Sequence, residues 1–119
     1  MAKPLNTVAY TGGFLAQAKG EGMTEGEMEE MEKFLAANPE AGNLIVGSGG
    51  CRKVRISGKG KGKSGGYRVV TYFATEATPV YLVAMLAKGS RENFSDDEVA
   101  AMAEFSRRIK ARLAPRAAS

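Results

Sequence analysis

The stretch "SGKGKGKSGGYR", residues 57–68, sets Lys59, Lys61 and Lys63 on alternate positions among glycines and serines and ends on Arg68. Just before it, "CRKVRIS" contributes Arg52, Lys53 and Arg55. Cations at this density suit either the phosphates of a nucleotide or the backbone of a polyanion. Gly62-Lys63-Ser64 has the ending of a P-loop, but the first glycine of that motif is replaced by Ser57. The run also leads through Gly65-Gly66 into β-branched and aromatic residues, so the helix N-terminus that would hold the phosphates is missing. A solvated hairpin loop is the plain alternative. Against it stand Lys53, Arg55 and Arg68, whose strand faces can converge with the loop, and Tyr72 on the same face as Arg68; together they suit a phosphate backbone.

The remaining composition narrows the chemistry by elimination. The 119 residues hold no histidine and one cysteine, Cys51. Nucleophile activation by histidine is excluded, a zinc site has no basis and no intrachain disulfide can form. A lone cysteine at the start of a strand reads as a small buried hydrophobe. Acid–base work therefore falls to Lys, Arg, Tyr or carboxylates, and no cofactor or metal is implied. The net charge of +4 is unevenly spread. Residues 1–50 carry three lysines against seven glutamates, and residues 51–88 carry eight cations against Glu76 alone, a net of +7. Such asymmetry points to a polyanionic partner. No run approaches the roughly 18 apolar residues of a membrane span. The segment "MAKPLNTVAY" has no apolar core of signal-peptide length, so a cytoplasmic location and no membrane partner are expected.

Chain length fits one domain over 1–119, able to bury roughly two thirds of its unfolded surface. Leu5 to Ala9 can form a first strand, and "GGFLAQAKGEG" is at best weakly helical, with glycine on both sides. Thr24 and Glu27 fit a capping box opening a helix with Met28, Met31, Phe34 and Leu35 at helical spacing, stopped by Asn38-Pro39. From Cys51 the period becomes two: Val54 and Ile56 face one way, Lys53 and Arg55 the other. "YRVVTYF" and "VYLVAMLAK" read as central strands. Ser95 and Glu98 form a second capping box before Val99, Met102, Phe105, Ile109 and Leu113. Residues 115–119 read as a frayed tail. The predicted class is α+β, an antiparallel sheet packed by helices in the order β-α-α-β-β-β-α.

From about Thr24 to Glu98, "LAANPEAGNLIVGSGGCRKVRISGKGKGKSGGYRVVTYF" followed by "VYLVAMLAKGSRENFSDDE" resembles the RelE/HigB family of bacterial toxins. The resemblance is to the branch with a Gly-Gly-x-Arg-Lys-x-Arg strand and a Gly/Lys loop ending Gly-Lys-Ser-Gly-Gly. It implies a small microbial-ribonuclease-like fold and a ribosome-dependent endoribonuclease that cuts mRNA in the A site and inhibits translation. It also implies a cognate antitoxin, of helix-turn-helix type, with operator DNA reached only through that antitoxin. Lys53 and Arg55 match the family's two basic strand residues, and Arg68 its arginine in the Gly-x-Arg strand. Lys63 of the loop and Tyr72 complete the candidate catalytic set, with Arg52, Lys59, Lys61 and Lys88 as candidate RNA contacts. Gly89 and Ser95 stand where some RelE proteins carry an arginine and a tyrosine. Two other readings stay open: a non-catalytic toxin of the same fold that inhibits DNA gyrase, as ParE does, and a plain RNA-binding module.

Overall fold

The computed structural model describes residues 6–57, 66–86 and 94–113. In chain order the elements are β1 (Val8–Tyr10), α1 (Gly12–Gly20), α2 (Glu25–Ala37), β2 (Asn43–Leu44), β3 (Arg52–Ser57), β4 (Gly66–Tyr72), β5 (Val80–Leu86) and α3 (Asp96–Leu113). The five strands form one sheet in the order β1-β5-β4-β3-β2. Every pairing is antiparallel except that of β1 with β5, which is parallel. The α+β class and the element order hold, with two additions: the sheet is mixed, and a two-residue strand, β2, forms one edge.

Strand periodicity divides the core. Val54, Ile56, Tyr67, Val69, Leu82 and Met85 pack on one face against Phe14 and Ala18 of α1 and Met31 and Leu35 of α2. Cys51, Val70 and Tyr72 pack on the other face against Met102 and Ile109 of α3. The result is three layers, with α1 and α2 on one side of the sheet and α3 on the other.

The segment expected to be weakly helical is a nine-residue helix, for local reasons. Thr11 caps it, its Oγ1 accepting from Phe14 N at 3.0 Å. Phe14 and Ala18, one turn apart, are fully buried. Gly22, at φ 76°, ends it: Met23 N donates to Ala18 O and Gly22 N to Lys19 O, the paired bonds of a Schellman motif. The glycine that reads as a helix breaker is thus the helix stop.

Helix α1 also repairs the sheet. Val70 pairs with Ala84 and Thr71 with Leu82, so Val83 is an extra residue that bulges β5. There β1 has ended and β5 would show an open edge. Thr11 Oγ1 donates to Val83 O at 2.8 Å, and Met85 N donates to Gln17 Oε1 at 2.8 Å.

Helices α2 and α3 begin as their sequences predict. Thr24 and Glu27 exchange both bonds of a capping box, and so do Ser95 and Glu98. No helix among the described residues is long and apolar enough to cross a membrane.

Candidate functional site

Register sets the candidate cations. Across the β3–β4 ladder Lys53 pairs with Val70 and Arg55 with Arg68, and on the far side Arg68 pairs with Leu86. Paired residues share a face, so Lys53, Arg55 and Arg68 all lie on the α3 side of the sheet. The helix covers Cys51, Val70 and Tyr72 on that face. Beyond it Arg55 is exposed and Lys53 and Arg68 are half-buried. Two arginines directly opposite each other repel, and such a pair weakens a sheet. An anion bound between them would reverse the sign of that term.

Two other candidates have different surroundings. Tyr72 shares the cationic face but is 2% exposed, its ring edge-on to Phe105 with centroids 6.3 Å apart. Burial, and then the neighbouring Cys51, push its phenol pKa up. It lies under α3, at the other end of β4 from Arg68. Arg52 belongs by parity to the face of Val54 and Ile56, and its Nη1 donates to Gly42 O at 3.0 Å. That bond ties β3 to the turn before β2. Lys59, Lys61, Lys63 and Lys88, like the 115–119 tail, lie outside the described residues.

Cys51 is fully buried, as its sequence position predicts. Its Sγ lies 3.4 Å from Ser106 Oγ, and its backbone N–H donates to Ser48 Oγ at 3.0 Å. Burial raises the thiol pKa despite the lowering influence of Ser106, Ser48 and Lys110. A covered thiol held protonated is no nucleophile. The same contacts, with Lys110 Nζ donating to Gly49 O at 2.9 Å, bind the turn before β3 to α3.

One supporting pair has no signature in the sequence. Tyr67, beside Arg68, donates its buried hydroxyl to Glu27 Oε1 at 2.9 Å. The same oxygen accepts from Thr24 N. Glu27 therefore caps α2 and holds β4 at once, which only tertiary packing reveals. Burial, and then the Glu27 hydrogen bond, push the Tyr67 phenol up to about 12. An unfolded tyrosine titrates near 10. The folded state keeps its proton where the unfolded state loses it, so this stabilisation is complete below pH 10 and is lost as pH rises to 12. Urea melts from pH 7 to 12 should show a loss of about 2 to 3 kcal/mol attributable to this group. Tyr67→Phe should lack that component and be about 1 to 2 kcal/mol less stable at neutral pH, because Glu27 loses a buried donor. Identical alkaline slopes in the two proteins would contradict the assignment.

Among the described residues, no three of Cys, Asp and Glu gather closely enough to hold a metal ion. The arrangement offers positive charge fixed on a rigid sheet, able to hold a phosphodiester and to stabilise charge that develops on it.

Residues 14–115 match the family model for the RelE toxin of the RelE/RelB toxin–antitoxin system. The chain belongs to the RelE toxin family. It is therefore the toxin of a toxin–antitoxin pair, with an antitoxin as partner. The fold agrees. The free-state structure of the E. coli toxin RelE, a double arginine-to-alanine mutant, superposes with a TM-score of 0.53 at 17% identity, over 85% of this chain and 96% of that one. Within this RelE-family toxin, the cationic half of the α3-side sheet face is the candidate site.

Proposed function

We propose that this RelE-family toxin is a ribosome-dependent endoribonuclease that cleaves mRNA in the A site and so stops translation. The observation that carries the reading is the placement of Lys53, Arg55 and Arg68 together on the part of the sheet face that α3 leaves open. Cleavage requires the ribose 2′-hydroxyl to be activated, the pentacoordinate phosphate stabilised and the 5′-oxygen protonated. Arg55 and Arg68 hold the phosphate and meet its growing charge, the kind of contribution that preorganised donors make. Lys53 stands two ladder positions away on the same face, with the loop lysines Lys59, Lys61 and Lys63 joining from the sequence between β3 and β4. Proton transfer falls to members of this set. Tyr72 packs beneath α3 and steadies the end of β4, Lys88 serves RNA at the margin, and Arg52 braces β3 from the opposite face. The partners are ribosome and mRNA, with a helix-turn-helix antitoxin opposing them in the cytoplasm.

Primer extension on mRNA in translating extract tests this. New 5′ ends at fixed places within codons should appear only when ribosomes and the protein are both present. Equal cleavage of naked RNA at the same sites would remove ribosome dependence. Intact mRNA with trapped gyrase–DNA complexes would move the assignment to a ParE-like poison.

A further inference from the structure

Past the end of β1, strand β5 runs on without a neighbouring strand, and a cleft of about 190 Å³ opens there between β5 and the first turns of α3. Ala84 and Leu86 are its floor, and Phe94, Ala101 and Met102 its wall. Ladder register ties the cleft to the candidate site. The bulge at Val83 brings Leu86 opposite Arg68, where an unbroken ladder would have set Met85. An occupant of the cleft is therefore one strand away from the cation that meets the phosphate.

Apolar walls with a few placed polar groups are the usual build of a small-ligand pocket. Here the polar side chains are Glu98 and Gln17. Glu98 closes the capping box with Ser95 and sets negative charge at the rim, which disfavours a phosphate inside. Gln17 Oε1 accepts from Met85 N at 2.8 Å. A backbone N–H can face only the oxygen of an amide, so this bond fixes which way the group points. Its Nε2 has no partner among the described residues. The cleft thus carries a hydrogen-bond donor of set orientation.

These features describe the occupant. It is small, uncharged and largely apolar on its faces, it carries acceptors at its edge, and it is joined to a phosphate one strand away. A nucleobase has all of these properties. Unstacked RNA bases are held in this manner, against aromatic side chains and by hydrogen bonds to their edges. Phe94, half-buried at the mouth of α3, offers the aromatic surface.

We propose that the cleft between β5 and α3 binds one base of the mRNA codon beside the scissile phosphate, and that Gln17 determines which base is accepted. This inference rests on the ribosome-dependent reading above and gives it a source of codon preference. Gln17 is a specificity residue, and the cations of the sheet face remain the groups that act on the phosphate.

The test measures single-turnover cleavage on ribosomes programmed with mRNAs that differ only in the A-site codon. The wild-type protein should discriminate among bases at one codon position. Gln17→Glu separates the two duties of the side chain, because a carboxylate still accepts from Met85 N but cannot donate. It should keep the wild-type thermal midpoint and shift the ratio of rates at that position about tenfold, toward bases that present an amino group. A purely structural Gln17 would be satisfied by glutamate, and the ratio would stay. Ala101→Leu fills the cleft from an exposed helix position that leucine tolerates well. It should lower cleavage at the preferred codon roughly tenfold, and it decides the matter if Gln17→Glu folds poorly. Wild-type codon preference in a folded Gln17→Glu variant would overturn the proposal, as would a wild-type protein indifferent to the base at every position. Variants that bind the antitoxin more weakly yet cleave as wild type would also overturn it and give the cleft to the antitoxin. A wild-type protein that cuts nothing on ribosomes would instead bring down the functional reading itself.

Discussion

Arg68→Ala should lower single-turnover cleavage on programmed ribosomes by about a hundredfold and leave folding stability little changed. The first half follows from position. Arg68 is half-buried in the middle of a three-strand ladder, with Arg55 across one side and Leu86 across the other. A charge held that rigidly needs little reorganisation to meet a phosphorane, and removing such a donor typically costs about 3 kcal/mol in the barrier. The second half follows from the facing pair. Arg68 is only half-buried, so the terms lost with it, like-charge repulsion from Arg55 included, are small surface terms, and the Val69 and Val70 core beside it is untouched. Activity and stability thus move apart, as at a site where local strain serves function. Thermal melts alongside the cleavage assay check both halves. A soluble variant with wild-type activity would remove Arg68 from the site.

Gly42→Ala should be the most damaging small substitution in the scaffold, lowering stability by about 3 kcal/mol or more and the thermal midpoint by roughly 10 °C. Gly42 sits at φ 92°, where an L side chain is strained by about 1 to 2 kcal/mol. An added Cβ would also overlap the Lys53 carbonyl oxygen and stand 2.7 Å from Val54 Cγ2. Relieving that overlap requires β3 to move, and overpacking of this kind costs about 1 to 3 kcal/mol. The affected backbone carries Lys53, and the Gly42 carbonyl receives Arg52 Nη1. Scaffold and site should therefore suffer together. A calorimetric midpoint within two degrees of wild type would contradict this account of the turn before β2.

Local chemistry was legible in the sequence wherever the signal was itself local. The capping boxes at Thr24 and Ser95 start their helices as predicted, and alternation in "CRKVRIS" assigned Lys53 and Arg55 to the face opposite Val54 and Ile56. Helix α1 read as only weakly helical because its signals are a lone threonine cap and a glycine whose role as a stop depends on positive φ. The parallel pairing of β1 to β5 joins segments about 70 residues apart, and nothing local encodes it. Parity placed Tyr72 with Arg68 on one face, but where α3 would come to rest decides that Tyr72 is covered and Arg68 is not. Arg52 shows the same limit. As a cation in a basic run it reads like its neighbours, yet it lies on the other side of the strand and spends its guanidinium on a backbone carbonyl.

The chemistry of the fragment ends is the most direct check on cleavage by positioned cations. mRNA should be cut on programmed ribosomes and the fragments released, after quenching, for end analysis, with a parallel reaction in which a chelator removes catalytic metal without dispersing the ribosomes. Attack by the 2′-hydroxyl, with lysine and arginine stabilising the phosphate, predicts a 2′,3′-cyclic phosphate or its 3′-phosphate product on one fragment and a 5′-hydroxyl on the other, at an undiminished rate with chelator. Fragments ending in a 3′-hydroxyl and a 5′-phosphate, formed only with metal, would contradict it.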